Sequence, residues 1–305
     1  MVKVKSENKS KFDTIKSLDS FVVHFLPFLP DKLYLSLRYR CRMGHWIDWK
    51  HPKTFTEKLQ WLKLYNRKPE YTKMVDKYAV KDYVSGVIGP EYIIPTIGVW
   101  NKPEEIDWDS LPNQFVLKTT HGGGGGGVVI CKDKETFNND EAIVKLNHSL
   151  KADIYRGFRE WPYKNVPKRI IAERFMTSEQ SVDTESLLDY KFFCFNGKVK
   201  FYKVDFGRFV EHHANYYSPE GNLLPFGEQG LEPDFNYPIK LPSNLDEMIS
   251  IAERISQGEP FLRVDLYNIN GKIYFGEITF FPGSGLLPWT HKETDVEIGQ
   301  YLEIR

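Results

Sequence analysis

Residues 261–279 read Phe261-Leu262-Arg263-Val264-Asp265-Leu266-Tyr267-Asn268-Ile269-Asn270-Gly271-Lys272-Ile273-Tyr274-Phe275-Gly276-Glu277-Ile278-Thr279. Two apolar, β-branched runs flank Asn270-Gly271. That dipeptide is the strongest short hairpin signal, because the tight turn matching strand twist needs positive φ at both central positions. Arg263 and Asp265 stand two apart, so both leave the same face of the first strand, and Glu277 and Thr279 repeat that period on the return. Closing the hairpin is expected to bring the two pairs together. One Asp, one Glu and a third oxygen on adjacent strands suit a hard cation, such as magnesium, held jointly with substrate phosphates. Without one, neighbouring carboxylates repel. The competing reading is a pair of solvent-facing acids balanced by Arg263.

Working outward, Lys191 to Tyr202 has the same design around Asn196-Gly197. A helix is expected from Ser243 to Gln257, after a loop-rich stretch from Ser218 to Pro242. Phe280-Phe281-Pro282-Gly283-Ser284-Gly285 follows the acidic strand as a tight turn able to offer backbone N–H groups to an anion. Upstream, six glycines, Gly122–Gly127, lie between Phe115-Val116-Leu117-Lys118 and Val128-Val129-Ile130. Each glycine weakens regular structure by roughly 0.5–1 kcal/mol relative to alanine, so the run fits a strand–loop–strand where backbone bends freely or approaches a ligand. Lys118 and His121 would add positive charge at the same spot, as anions require. No Lys-Ser or Lys-Thr follows the run, which excludes a Walker A loop. Strands are expected from Tyr92 to Ile97 and from Arg169 to Phe175, and a helix from Asp140 to Ala152. The sum is α+β with antiparallel sheets rather than alternating βαβ.

The first 85 residues read as helical. Phe55 to Tyr65 has apolar side chains at helical spacing with Thr54 or Thr56 as cap, and Tyr71 to Val84 reads as a second helix. Phe21 to Pro30 is apolar but too short to span a bilayer and is closed by prolines, so a helix end packed on the body is expected, with peripheral membrane contact as the alternative. Lys32, Arg38, Arg40, Arg42, Lys50 and Lys53, interleaved with Tyr34, Tyr39, Trp46 and Trp49, offer either an anionic-sugar site or a solvated helix face. Composition is globular, with 41% hydrophobic residues, and 41 basic against 41 acidic side chains leave no global field for nucleic acid. Three scattered cysteines, Cys41, Cys131 and Cys194, read as reduced thiols of a cytoplasmic protein.

The order of parts is more specific than any one of them. Thr54-Phe55-Thr56-Glu57-Lys58-Leu59-Gln60-Trp61, Asp76-Lys77-Tyr78-Ala79-Val80-Lys81-Asp82-Tyr83-Val84, Leu111 to Lys118, Glu173-Arg174-Phe175-Met176, Lys191, Arg263-Val264-Asp265 and Gly276-Glu277-Ile278-Thr279-Phe280 occur in sequence. Over roughly residues 30 to 290 this resembles the ATP-grasp superfamily, and within it the TupA-like branch of teichuronopeptide biosynthesis. The resemblance implies an ATP-grasp fold with a helical region over 1–70, a pre-ATP-grasp part over 71–112, a glycine-loop lobe over 113–175 and a metal-binding lobe over 176–305.

It also implies roles. Lys77 and Lys118 would contact ATP phosphates, with His121 and Gly122, Gly123, Gly124, Gly125, Gly126 and Gly127 closing over them as a lid poorly ordered without nucleotide. Glu173, Arg174, Phe175 and Met176 would line the adenine, and Glu179 or Asp183 would meet the ribose. Lys191 would sit near the adenine or phosphates, Arg263 near the transferred phosphoryl group, and Asp265 and Glu277 would hold magnesium. Thr279 stands where the superfamily commonly has Asn. The implied activity is an amide ligase acting through an acyl phosphate, joining an amine or amino acid to a uronic-acid glycan or lipid-linked precursor of the cell surface. Two other classes compete: a glycosyltransferase using Asp107-Trp108-Asp109, or a non-catalytic glycan-binding protein. His212-His213, adjacent on a strand, would face opposite sides and make no zinc pair.

Overall fold

The computed structural model describes residues 18–123, 126–177, 187–207 and 211–304. After a helical stretch at 18–25, the helices are α1 (Asp31–Met43), α2 (Phe55–Tyr65), α3 (Tyr71–Val75) and α4 (Ala79–Ile88). Next come β1 (Thr96–Trp100), β2 (Phe115–Thr119), β3 (Val128–Cys131), α5 (Asn139–Leu150), α6 (Ile154–Phe158) and β4 (Ile170–Arg174). The remainder holds β5 (Asp189–Phe195), β6 (Lys198–Phe206), β7 (His213–Tyr217), β8 (Leu223–Leu224), α7 (Leu245–Ile255), β9 (Phe261–Ile269), β10 (Lys272–Thr279) and α8 (Lys292–Tyr301).

Two antiparallel sheets result, one ordered β1-β4-β2-β3 and the other β10-β9-β5-β6-β7-β8. Both expected Asn-Gly turns form, with φ of 50° and 75° at Asn196 and Gly197 and of 53° and 82° at Asn270 and Gly271. The β2–β3 hairpin joins across the glycine run as expected, while the first strand starts at Thr96, later than Tyr92, because Pro90–Tyr92 forms a 3-10 turn.

The large sheet has an apolar face and a mixed face. Tyr190, Phe192 and Cys194 on β5 alternate with Asp189, Lys191 and Phe193, all buried. The first set packs on α7, whose Met248, Ile251, Ala252 and Ile255 are buried at a strict helical spacing. Phe55 of α2 reaches the aromatic end of the other face, its ring 5.0 Å from Phe261 and 5.6 Å from Phe195. Thr54 caps α2 with a capping box to Glu57, and the Thr56 hydroxyl instead donates to Asp295 of α8. Leu59, fully buried, fixes this helix; its truncation to alanine would cost about 2–5 kcal/mol. The small sheet packs Phe115, Leu117, Ile170 and Ala172 against Ala142 and Leu146 of α5.

The helix expected over Tyr71–Val84 is broken. Asp76, 1% exposed, turns its carboxylate onto the N–H groups of Tyr78 (2.9 Å) and Ala79 (3.4 Å) and onto Arg169 Nη2 (2.6 Å). This carboxylate ends α3 and starts α4. Lys77 stands in the break, its N–H donating to Thr120 O (2.9 Å) just past β2.

Candidate functional site

The β9–β10 hairpin needs one irregularity to assemble its polar face. Counted from Asn270-Gly271, an unbroken ladder pairs Phe275 with Leu266 and would go on to set Glu277 opposite Val264. A bulge at Gly276 shifts the register, so that Glu277 pairs with Asp265 and Thr279 with Arg263. A Cβ at Gly276 would stand 3.0 Å from Asp265 O and 3.1 Å from the Tyr267 ring. The glycine therefore lets the strand close on its neighbour.

Three oxygens converge there on one nitrogen. Arg263 Nη2 lies 2.7 Å from Asp265 Oδ2, 3.1 Å from Glu277 Oε1 and 2.9 Å from Thr279 Oγ1, while its Nε donates to Asp265 Oδ1 at 2.7 Å. Lys191 Nζ adds a bond to Asp265 (2.8 Å) and Lys77 Nζ one to Glu277 Oε2 (2.9 Å). Burial raises the Asp265 pKa, against the pull of Arg263 and Lys191. Burial pushes Glu277 up as well, but Lys77, Arg263 and Lys191 outweigh it and hold that carboxyl below the ordinary range. The charged row continues across the sheet through Lys191, bonded to Asp189, then Asp205, Lys203 and Glu228, with Lys203 Nζ 3.1 Å from Glu228.

The donor set fits magnesium. All three groups offer hard oxygens, and they already enclose a cationic atom, Arg263 Nη2, at hydrogen-bond distance. Among the described residues no group of three or more His, Cys, Asp or Glu forms a metal cage. Two carboxylates and a hydroxyl match a cation that keeps waters and substrate phosphates as its other ligands.

Facing this hairpin, the small sheet presents Lys118 on β2 and Glu173 on β4. Lys118 Nζ lies 2.6 Å from Glu173, whose other oxygen meets Lys81 of α4 at 2.5 Å. Burial acts to raise the Glu173 pKa, and the two lysines more than reverse it. Arg174 is exposed, and Phe175 and Met176 are half-buried at the end of β4. Lys77 belongs to both surroundings, since Glu277, Glu173 and Asp265 all pull its pKa upward against burial. The helix break brings its side chain here.

At the neck of the glycine loop, Thr119 Oγ1 and Ser149 Oγ sit 2.8 Å apart. A Cβ on Gly127 would fall within 2.3 Å of both, and one on Gly122 within 2.8 Å of Thr119 Oγ1, whereas Gly123 and Gly126 are open. Only glycine passes the neck. Gly124 and Gly125, Glu179 and Asp183 lie outside the described residues. His121 is buried, its pKa lowered by burial and by Lys168, and it lies near the Ser149 and Ala152 carbonyls on the α5 side.

The expected tight turn follows β10 at Pro282–Gly285. Gly283, Ser284 and Gly285 take φ of 52°, 58° and 59°, a left-handed run that a serine rarely enters. Its oxygens are held from α2: Gln60 Nε2 donates to the Ser284 and Gly285 carbonyls, and Lys63 Nζ to Ser284 O (2.8 Å) and Oγ (2.7 Å). Lys63 is wholly buried and its pKa is pushed down to about 7 by burial, with Glu160 opposing.

Of the remaining candidates, Arg38 is buried against Asp19 at 2.7 Å, and Tyr34 and Tyr39 belong to the core, so much of the basic–aromatic segment is structural. Asp107 and Asp109 are exposed, and Asp107 accepts from Ser110 N in an ordinary turn. His212 and His213 diverge, toward Asp205 and the Glu232 carbonyl. Asp189, Lys203 and Asp205 belong to the large-sheet row, Lys81 to the Glu173 pair and Lys63 to the Ser284 turn, and none of them stands in a motif that marks it. For the three strand residues the signal is a charge at every second position inside apolar strands, Asp189-x-Lys191 and Lys203-x-Asp205, whereas Lys63 and Lys81 stand on α2 and α4.

A family model described as TupA-like ATPgrasp matches residues 57–303, most of the chain. No curated protein matches it. Among solved structures, the chain is similar to a D-alanine–D-alanine ligase from Bacillus anthracis complexed with ATP, at 16% identity over 68% of this chain and 53% of that one, with a TM-score of 0.38. It is also similar to the Helicobacter pylori D-alanine–D-alanine ligase (16% identity, 81% and 69% covered, TM-score 0.43). The D-alanyl-alanine synthetase A from Vibrio cholerae is a third (15% identity, 75% and 64% covered, TM-score 0.44). The chain thus spans about half the length of the first of these, and none is similar enough to carry an inference about activity.

Proposed function

This chain belongs to the TupA-like ATP-grasp family, and from that premise we propose that it is an ATP- and magnesium-dependent carboxylate–amine ligase. Its substrates on this reading are the carboxylate of a uronic-acid-containing surface glycan, or a lipid-linked precursor, and an amine or amino acid. The observation that carries the reading is the convergence of Asp265, Glu277 and Thr279 oxygens on a cationic atom, faced by Lys77 and Lys118.

When bound, ATP supplies the phosphoryl group and magnesium neutralises part of its charge. Asp265, Glu277 and Thr279 would hold the metal. Arg263 lies beside them, placed to stabilise charge on the transferred group, and Lys191 holds Asp265 in position. Lys77 and Lys118 offer ammonium groups to the phosphates, and Gly122–Gly127 cover them and keep out water. Residues 173–176 line the adenine, and Glu179 or Asp183 meets the ribose. In the first step a carboxylate oxygen bonds the γ-phosphorus while the bond to ADP breaks. In the second the amine nitrogen bonds the acyl carbon, loses a proton, and phosphate leaves. Residues 113–175 act as the glycine-loop lobe and 176–305 as the metal-binding lobe, behind a helical region over 1–70 and a short part over 71–112. Three free cysteines, two of them buried, support a reducing, cytoplasmic setting. ADP release that requires both a uronate oligosaccharide and an amine is the expected result; release with neither present overturns the proposal.

A further inference from the structure

The helical stretch at 18–25 is held to the body by a buried ion pair. Arg38 donates to Asp19 through Nε (2.7 Å) and Nη2 (2.8 Å), and Val22 is 4% exposed beside it. The chain that follows is also fixed, since Arg159 Nη2 donates to Pro27 O at 2.5 Å. A helix secured in this way ordinarily turns its apolar residues inward. This one does the reverse: Leu18, Phe21 and Phe25, at i, i+3 and i+7 on one face, are 52%, 52% and 65% exposed. The phenyl rings of Phe21 and Phe25 touch each other, 5.0 Å apart, with no core over them. Phe28 at 76% and Leu33 at 47% extend the exposed apolar series into the start of α1.

Five large apolar side chains turned outward within sixteen residues are more than scattered surface hydrophobics. The segment preceding them is basic, with Lys3, Lys5, Lys9, Lys11 and Lys16 against Glu7 and Asp13. An apolar face with a lysine-rich flank is the composition that lies in the headgroup region of an anionic bilayer, the rings entering the acyl boundary and the ammonium groups meeting phosphates. No helix among the described residues is long and apolar enough to cross a membrane, so the contact would be peripheral. A second copy of the chain fits less well, because pairing two such faces brings two lysine-rich segments together.

We infer that residues 18–33 form a membrane-surface anchor selective for anionic lipid. The face is independent of the ligase chemistry, so its test does not depend on that reading. Full-length protein is floated with vesicles of phosphatidylcholine alone, or with phosphatidylglycerol added. The expected result is binding to the anionic vesicles only, weakened by salt. Phe25→Asp and Phe28→Asp, both at exposed positions, should each lower the partition coefficient about tenfold or more with an unchanged thermal melt. Replacing the five N-terminal lysines by glutamine should remove the preference for anionic over neutral lipid. Equal partitioning of the wild type and the aspartate variants overturns the proposal. So does sedimentation showing a wild-type dimer that the same variants split, since a second copy would then cover the face.

Discussion

In the four-stranded sheet a single buried acid, Glu173, is shared by Lys81 and Lys118. The six-stranded sheet instead carries a row of alternating charges, Glu277, Arg263, Asp265, Lys191, Asp205 and Lys203, that ends on Glu228 beside it. In the small sheet one lysine can leave and Glu173 keeps a partner. In the large sheet Arg263 bonds Asp265, Glu277 and Thr279, and Lys191 bonds Asp189 and Asp265, so the loss of either cation takes a partner from several buried groups at once. The difference separates a surface that can release a cation to an incoming anion from one that must keep its geometry.

The sharpest way to break this contrast is Arg263→Ala. It strips Asp265, 1% exposed, of two bonds and Glu277 and Thr279 of one each. Stability is expected to fall by about 3–5 kcal/mol in urea melts, and ligase turnover by about 10²–10³. If the Lys118→Ala variant loses as much stability, the two sheets do not differ in the way described.

Lys63 sharpens the contrast from a third position, because two of its three bonding partners are carbonyl oxygens and the third is the Ser284 hydroxyl. Burial pushes its pKa down, to about 7, with Glu160 opposing. The unfolded chain keeps the proton to about 10.4, so between those values the unfolded state binds more protons and stability rises with pH. Wild type minus Lys63→Met should gain on the order of 2–4 kcal/mol across that interval in urea melts. A flat difference would mean that Lys63 stays charged in the fold.

The smallest effect is expected at Lys118→Ala. Glu173 retains Lys81, so the stability loss is about 1 kcal/mol, while the KM for ATP rises and kcat changes less. A fall in kcat with KM unchanged would move Lys118 from binding to the chemical step.

The hairpins were legible because Asn196-Gly197 and Asn270-Gly271 are local signals, and the pairing of the acids followed from period two. Their true register was not, since it depends on the bulge at Gly276, and the glycine was its only mark. The break at Asp76 was hidden for another reason. Asp76 is paired with Arg169, distant in sequence, and the run from Tyr71 to Val84 has an uninterrupted helical pattern. Likewise the grip on Ser284 could not be read from its tight turn, because Lys63 and Gln60 reach it from a helix more than two hundred residues earlier. Tertiary pairing decided each of these cases, and local pattern decided the rest.

Lys77 has two ends fastened to different sheets: its backbone N–H to Thr120 just past β2, its ammonium to Glu277 on β10. Mechanically it is a latch with a backbone end and a solvent-reachable ammonium end. The ammonium end is the weaker tie, since that ion pair keeps 19% and 38% of its side-chain surfaces in solvent and is open to screening. Any anion arriving between the two sheets competes with Glu277 for the same ammonium. Negative charge arriving beside Lys77 is therefore expected to loosen the tie between the two sheets.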